Sequence, residues 1–289
     1  MIQRNEIPVS LSKVKLLHDG HIFILIFMLS RPLIIAHRGA SAAASENTLS
    51  AILLAFMQGA DGVEVDLRLT SDGHLVAIHD EDTKRVSGVM MRVSRTPLEK
   101  LRTLDVGRVM SRKGQGQRMP VLDEVLGMMP PEKLLYLDLK VGVEGVKPLV
   151  AALKSAGELK RRVRVMSSQV ETLTAVRSAL PECEVVLHCD RRWTAKHERW
   201  VPEMEMIATV ARAVGAFEVA VDSRSLISEE GLLPELSKNG IKTQVWTVNR
   251  APSARRLAQL GVSAIKTDYP GHLISTFQNM EAADPMVAA

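Results

Sequence analysis

Short apolar runs and segments with helical periodicity alternate along this chain from Leu33 onward. An apolar run of about four to eight residues bounded by turn residues predicts a buried strand. Such runs predict strands at Leu33–His37, Gly62–Leu67, Leu134–Lys140, Arg164–Ser167, Glu184–His188, Phe217–Val221, Lys242–Val248 and Ala264–Thr267. The periodic segments predict helices at Thr48–Gln58, Val121–Met129, Val146–Ala156, Val170–Leu180, Pro202–Val214, Ser228–Asn239 and Ala251–Leu260.

These eight strands alternating with helices predict a (β/α)₈ TIM barrel of the α/β class. A doubly wound open sheet would produce a similar order of elements. We favour the barrel because polar residues cluster at the C-terminal ends of most strands rather than at one switch point. The segment Met90–Met119 breaks the alternation and predicts an insertion after the second barrel strand, about residues 81–119, with a short helix at Pro97–Leu104.

The first 31 residues are predicted to be an N-terminal extension, and the barrel is predicted over residues 32–289. The apolar run Ile22–Leu29 is far shorter than the roughly 20 residues of a membrane-spanning helix, so no stable span is expected. Met28 lies just before the first strand. One hypothesis is that translation starts there and that residues 1–27 are a dispensable or misassigned extension. Peptides from that segment in the native protein would refute it.

Composition is that of a globular protein, with 46% hydrophobic and 24% charged residues. The net charge of +4 is scattered, and no basic stripe with interleaved aromatic residues indicates nucleic acid. A small anionic substrate fits this charge. Cys183 and Cys189 would be too far apart to bridge on one strand, which favours a reducing compartment, and we expect the cytoplasm. The sequence carries no signal for an oligomeric state.

The first predicted strand ends in His37 and Arg38 and runs into a loop of small residues. A histidine supplies a proton-transfer group, and an arginine supplies a fixed fork of donors that suits a phosphate ester. Taken alone, the pair is also compatible with an ordinary surface position at a strand end. Its interpretation therefore depends on the residues that follow.

Charged residues share one face of the next two predicted strands. Alternation places Glu64 and Asp66 on the same side of one strand, and Asp138 and Lys140 on the same side of the other. Carboxylates at this spacing suit a Mg²⁺ or Ca²⁺ ion, and Lys140 suits a phosphate or oxyanion. The alternative is a set of salt-bridged residues at strand ends.

A second histidine follows a predicted hairpin. Asp72-Gly73 is typical of a two-residue turn, and that turn would place Asp66 opposite His79. The hairpin would then bring His79 back to the carboxylates. The alternative is a histidine at the end of a turn, hydrogen-bonded to Asp80.

Three further residue types have weaker signals. Trp246 is interpreted as either a wall of the site or part of the core, and Asp268 is predicted to cap or brace a loop. His188 and His197 lack a local partner pattern and are interpreted as structural.

An ordered set of motifs spans nearly the whole chain from residue 32. The set comprises Ala36-His37-Arg38-Gly39-Ala40-Ser41, Glu46-Asn47-Thr48, Gly59–Asp66, Thr70-Ser71-Asp72-Gly73, Ile78-His79-Asp80, Leu104–Gly107, Met119–Leu126, Trp246-Thr247-Val248-Asn249 and Thr267-Asp268-Tyr269-Pro270. These motifs, in this order, resemble those of the glycerophosphodiester phosphodiesterase family. The resemblance implies a TIM-barrel hydrolase that converts glycerophosphodiesters to glycerol 3-phosphate and an alcohol, using a divalent cation, Ca²⁺ or Mg²⁺.

The resemblance also implies residue roles. The general acid/base pair would be His37 and His79. Metal ligands would be Glu64, Asp66 and Asp138. Phosphate contacts would be Arg38 and Lys140, and Glu46 and Asn47 would support the metal and the loop. The segment from about Asp80 to Pro120 resembles the family's small insertion, which covers the mouth and meets the glycerol end.

Three positions depart from the family's usual pattern. Asp138 stands where glutamate is usual, Ser45 where proline is usual, and Ser168 where an aromatic residue is usual. Two other functions are compatible with the sequence. A lysophospholipase D-like enzyme would need an apolar entrance, which Val89, Met90, Met91 and Met110 could form, and an inactive barrel would only bind ligands.

Overall fold

The computed structural model describes residues 31–108, 116–196, 198–228 and 231–283. Its strands are β1 (Leu33–His37), β2 (Gly62–Leu69), β3 (Leu75–Ala77), β4 (Leu134–Leu139), β5 (Val163–Ser167), β6 (Glu184–Cys189), β7 (Arg192–Thr194), β8 (Arg199–Val201), β9 (Glu218–Asp222), β10 (Lys242–Trp246) and β11 (Ala264–Thr267). Its α-helices are Leu49–Met57, Lys84–Ser87, Leu98–Leu101, Leu122–Gly127, Val146–Ser155, Val170–Ala179, Met204–Ala213, Ser223–Ser228, Leu232–Lys238, Ala251–Leu260 and Pro270–Ala283.

Eight parallel strands close into a barrel in the order β1, β2, β4, β5, β6, β9, β10 and β11, and β11 pairs with β1. The predicted TIM barrel and all of its predicted strands are therefore confirmed. Two apolar layers stabilise it. Outward-facing strand residues pack against the helices, whereas inward-facing ones, such as Ile35, Tyr136 and Met166, fill the barrel interior.

One predicted helix differs from the structure. Ser228–Asn239 was expected as a single helix, but helices occur at Ser223–Ser228 and Leu232–Lys238, and residues 229–230 lie outside the described residues. The early start has a local cause, because the Asp222 carboxylate accepts a hydrogen bond from the backbone N–H of Arg224 at 2.8 Å. None of the described helices combines the length and apolar character needed to cross a bilayer.

The insertion follows β2 as predicted and has a small core of its own. Val76 and Ile78 from the hairpin pack there with Val93, Leu101 and Met119. The short helix predicted at Pro97–Leu104 is confirmed, but it spans only Leu98–Leu101. Residues 109–115, and the N-terminal residues 1–30 with the start site proposed at Met28, lie outside the described residues.

The predicted register of the hairpin is wrong by one residue. The N–H of Thr70 donates to the carbonyl of His74 at 2.9 Å, so the turn contains three residues instead of two. Gly73 takes the left-handed conformation that such a turn requires, with φ of 86°. Ile78, rather than His79, consequently lies opposite Asp66, and its N–H donates to the Asp66 carbonyl at 3.0 Å.

Candidate active site

Charged side chains gather at the rim where the barrel strands end. Strand register brings them to a common level, because His37 lies beside Glu64 across β1 and β2, and Asp66 lies beside Asp138 across β2 and β4. In a TIM barrel this rim, formed by the C-terminal ends of the strands, carries the active site.

The three predicted metal ligands come together. Ligand oxygens of Glu64, Asp66 and Asp138 lie within 4.8 Å of one another, and all three side chains are buried. Three buried carboxylates are costly without cations, and oxygen donors of this kind suit a hard divalent ion. The Lys140 ammonium lies 3.2 Å from Asp66 Oδ1 without a well-aligned hydrogen bond, so this oxygen can also serve as a ligand atom. The residues therefore fit the divalent cation that the sequence predicts.

Three cations face these carboxylates. The ammonium of Lys140 lies 2.7 Å from Asp138 Oδ2 and 3.2 Å from Asp66 Oδ1. Arg38 Nε lies 3.0 Å from Asp66 Oδ2, and the buried Lys266 Nζ lies 3.1 Å from Glu64 Oε1. Lys266 was not predicted as a site residue. Its signal would have been its position, since a lysine at an inward-facing position of a barrel strand needs an anionic partner.

The cations keep the carboxylates ionised. Burial alone would raise the pKa of Glu64, but Lys266 and His37 overcome it and lower that pKa to about 2. Burial opposes ionisation of Asp138 too, yet His188 and Lys140 hold its pKa well below its usual range. Burial likewise opposes the charge of Lys140, but Asp138 and Asp66 raise its pKa. Glu64 and Asp138 are thus negatively charged, and Lys140 is positively charged, at neutral pH.

His37 is held by a carboxylate from the far end of the chain. Its Nδ1 lies 2.7 Å from Asp268 Oδ1, which also accepts a hydrogen bond from the Ser41 hydroxyl at 2.9 Å. Asn249 Nδ2 donates to the other Asp268 oxygen at 2.7 Å. Despite burial, the hydrogen bonds from His37 and Asn249 lower the pKa of Asp268 to about 2. An anionic acceptor at Nδ1 favours the tautomer whose Nε2 is free to accept a proton.

His79 is oriented in the same way by its neighbour. Its Nδ1 lies 2.8 Å from Asp80 Oδ1, the contact that the sequence analysis kept as the alternative. Arg85 Nε donates to the other Asp80 oxygen at 2.6 Å, and its two terminal nitrogens bond Glu46 at 2.7 and 2.8 Å. Arg85 was not predicted as a site residue. It connects the insertion to the loop after β1.

A tight turn aims Arg38 into the cluster. Arg38 itself is left-handed, with φ of 59°, and its backbone N–H donates to Glu64 Oε2 at 3.0 Å. Gly39 lets this turn pack closely, because a Cβ there would lie 2.5 Å from the carbonyl carbon of Ala51. Left-handed backbone at a non-glycine residue costs about 1 kcal/mol or more, and here contacts of the site hold it.

Asn47 and Glu46, the two predicted supporting residues, contact different parts of the site. Asn47 accepts from the Asp66 N–H at 3.0 Å and donates to Asp66 Oδ2 at 2.9 Å, so it orients a proposed metal ligand. Glu46 accepts from Arg38 at 2.9 Å as well as from Arg85. Its contacts orient cations of the site.

His188, interpreted from the sequence as structural, belongs to the site. Its Nδ1 lies 3.3 Å from Asp138 Oδ2, and its ring centroid lies 4.9 Å from that of Trp246. Trp246 also packs against the apolar side chains of the barrel interior. It therefore contacts both the site and the core, the two positions considered for it. Asp138 and Trp246 lie far from His188 in the sequence, so no local motif indicates its role. His197 lies outside the described residues.

Comparison with known proteins assigns the chain. The model of the glycerophosphoryl diester phosphodiesterase family matches residues 37–272. This chain belongs to that family. A glycerophosphodiester phosphodiesterase of Caldanaerobacter subterraneus subsp. tengcongensis is 32% identical over 252 residues, which cover 85% of this chain and 97% of that protein. The family resemblance and the enzyme class, a phosphoric diester hydrolase, are confirmed.

Solved structures agree with this assignment. An Oleispira antarctica phosphodiesterase in complex with the product sn-glycerol-3-phosphate has a TM-score of 0.75 at 25% identity, with 86% of this chain and 97% of that chain covered. A glycerophosphodiester phosphodiesterase from Agrobacterium tumefaciens shares the fold, with a TM-score of 0.72 at 24% identity and 84% and 99% of the two chains covered. The roles of individual residues remain predictions.

Proposed function

We propose that this enzyme hydrolyses glycerophosphodiesters to sn-glycerol 3-phosphate and an alcohol, with Ca²⁺ or Mg²⁺ as cofactor. The observation that carries the proposal is the pair of histidines, His37 and His79, each with Nδ1 held by an aspartate, at the rim that also bears the carboxylate triad. The product bound to the Oleispira antarctica relative supports the same reaction.

Proton transfer is the task of the two histidines. One neutral imidazole takes the proton of the attacking hydroxyl, either of water or of the glycerol itself, and the other imidazolium protonates the leaving alkoxide. Asp268 and Asp80 orient the rings and stabilise whichever imidazole is charged. We expect a bell-shaped dependence of the rate on pH, because one histidine must be neutral while the other is protonated.

The phosphate needs positive charge around it, because charge on its oxygens grows in the transition state. Arg38 and Lys140 supply two cations, and Trp246, whose ring packs on His188, forms a wall for the substrate. Glu64, Asp66 and Asp138 would hold the divalent cation, which would supply Lewis-acid stabilisation of the growing negative charge.

A coupled assay for released glycerol 3-phosphate, run across headgroups and across Ca²⁺, Mg²⁺ and Mn²⁺, tests the reaction. We expect His37→Ala and His79→Ala to lose about two or more orders of magnitude in rate, the usual scale of acid–base catalysis. His74→Ala, in the exposed hairpin turn, is the matched control and keeps the wild-type rate. A near-wild-type rate in either site variant would falsify the assignment, and inactivity of the wild type with every diester would favour the ligand-binding barrel.

We also propose a small-molecule substrate and a cytoplasmic location. The location is supported by Cys183 and Cys189, which are free buried thiols. Burial raises the pKa of each thiol to about 11, so both are poorly reactive. Fractionation of the source cells followed by immunodetection tests this location.

A further inference from the structure

Two of the positions that depart from the family's usual pattern lie next to one residue, His188. Asp138 stands on β4 where glutamate is usual, and Ser168 follows β5 where an aromatic residue is usual. His188 lies on β6, the next strand around the barrel, and it borders the same cavity as Ser168. The intervening strand thus ends in a small side chain, and His188 reaches past it toward Asp138.

The His188 ring is held at the mouth of the barrel. Val186, two residues earlier on β6, faces the barrel interior, so alternation puts His188 on the same side one layer higher. The ring packs on Trp246, and the side chain is 15% exposed. Its Nδ1 lies 3.3 Å from Asp138 Oδ2, and among the described residues no well-aligned hydrogen bond reaches this nitrogen. The Asp138 carboxylate is the acceptor within its reach.

The short side chain of Asp138 gives this neighbour a task. Aspartate has one methylene fewer than glutamate, so its carboxylate stays closer to β4. A carboxylate that binds a metal is oriented by hydrogen bonds from surrounding groups. Lys140 lies 2.7 Å from Asp138 Oδ2, but the proposed function assigns its ammonium to the phosphate. Once Lys140 contacts the phosphate, His188 is the donor that lies beside this oxygen.

We propose that His188 is a positioning residue that holds Asp138 in place for the divalent cation. The imidazole donates its Nδ1 proton to Asp138 Oδ2 and leaves Oδ1 available as a ligand atom. The inference rests on the proposed function, and it joins three residues into one compensating set. The histidine on β6 makes up for the shorter carboxylate on β4, and Ser168 leaves room for it.

Cation binding to the metal-free enzyme tests the proposal, by isothermal titration calorimetry with Ca²⁺ and separately with Mg²⁺. His188→Leu removes the donor, and we expect its Kd for the cation to rise about ten- to hundred-fold. His188→Asn keeps an N–H at the position of Nδ1, so its Kd stays close to that of the wild type. His272→Leu, at an exposed histidine of the last helix, is the control and leaves the Kd unchanged. Equal Kd values for His188→Leu and the wild type, or no binding of either ion to the wild type, overturn the proposal.

A change in the length of the carboxylate separates positioning from ordinary packing. Asp138→Glu restores the longer ligand, which reaches the cation without help from β6. In that background we expect His188→Leu to raise the Kd far less than it does beside Asp138. A packing defect at His188 would instead cost the same affinity in both backgrounds, and that result overturns the proposal. Thermal denaturation of each metal-free variant verifies that it is folded.

Binding and hydrolysis are measured separately, so the positioning role and the proposed function can fail independently. A Kd raised in His188→Leu and restored in His188→Asn supports the positioning role even if no diester is hydrolysed. Hydrolysis of glycerophosphoethanol by the wild type, together with an unchanged Kd in His188→Leu, overturns the positioning role and leaves the proposed function intact.

Discussion

Replacing Lys266 by methionine would remove a cation from the floor of the carboxylate cluster. Lys266 is 1% exposed, and its ammonium lies 3.1 Å from Glu64 Oε1 and 3.9 Å from the sulfur of Met166. Methionine is similar in length and suits the thioether beside it. The variant therefore keeps the packing but leaves a buried carboxylate with one cation fewer.

The expected loss of stability is large. Removing one partner of a buried ion pair costs about 3–5 kcal/mol. The lowered pKa of Glu64 has the same direction, because Lys266 and His37 together overcome the effect of burial. In a domain of this size 1 kcal/mol lowers Tm by roughly 2–4 °C. We expect the metal-free variant to melt about 6–20 °C below the wild type.

The response to a divalent cation distinguishes this argument from ordinary core damage. A cation held by the triad replaces the charge that Lys266 supplied, so Ca²⁺ or Mg²⁺ should raise the Tm of Lys266→Met more than that of the wild type. Calorimetric titration should also give the variant the lower Kd. Lys242→Met, at an exposed strand lysine, is the control and shows neither effect. Equal Tm values in EDTA, or equal gains on adding the cation, would refute the reasoning.

Three further predictions concern neighbouring groups. Asp268→Asn removes the anion behind His37, and we expect kcat to fall roughly ten- to hundred-fold with little change in KM, part of the usual acid–base contribution; steady-state kinetics at several pH values checks it. Arg85→Met removes the contact with Asp80, so hydrogen exchange in the insertion should become faster while the barrel is unchanged. Because the pKa values of Glu64 and Asp268 are lowered to about 2, the stability they provide is complete above a pH of about 4.5 and is lost as the pH falls through 2. A constant Tm of the metal-free enzyme between these limits would contradict this.

The sequence was sufficient to predict the barrel, because each barrel strand is a buried run bounded by turn residues. It was also sufficient for the carboxylate cluster, since alternation on β2 and β4 puts Glu64, Asp66 and Asp138 on inward-facing positions of adjacent strands. Parallel pairing of adjacent strands then places them side by side. Strand alternation and the parallel pairing of β2 with β4 are thus enough to predict the position of the three carboxylates.

Neither the register of the hairpin nor contacts between residues far apart in the sequence can be predicted from local sequence patterns. The hairpin could close with two or three turn residues, and only its conformation at Gly73 decides that Asp66 lies opposite Ile78. Asp268 reaches His37 from across the chain, a contact that depends on closure between β1 and β11. The role of His188 likewise depends on strands that meet only in the folded barrel.

The charge balance of the site implies different roles for its two lysines. Lys140 and Lys266 both neutralise triad carboxylates, so a divalent cation that enters must weaken at least one of these ion pairs. Lys140 has a side chain that is 21% exposed and can turn toward the substrate, whereas Lys266 is enclosed at 1%. If Glu64, Asp66 and Asp138 hold a divalent cation, Lys140 would be the lysine that turns from Asp138 toward the phosphate. Lys266 would keep its pairing with Glu64.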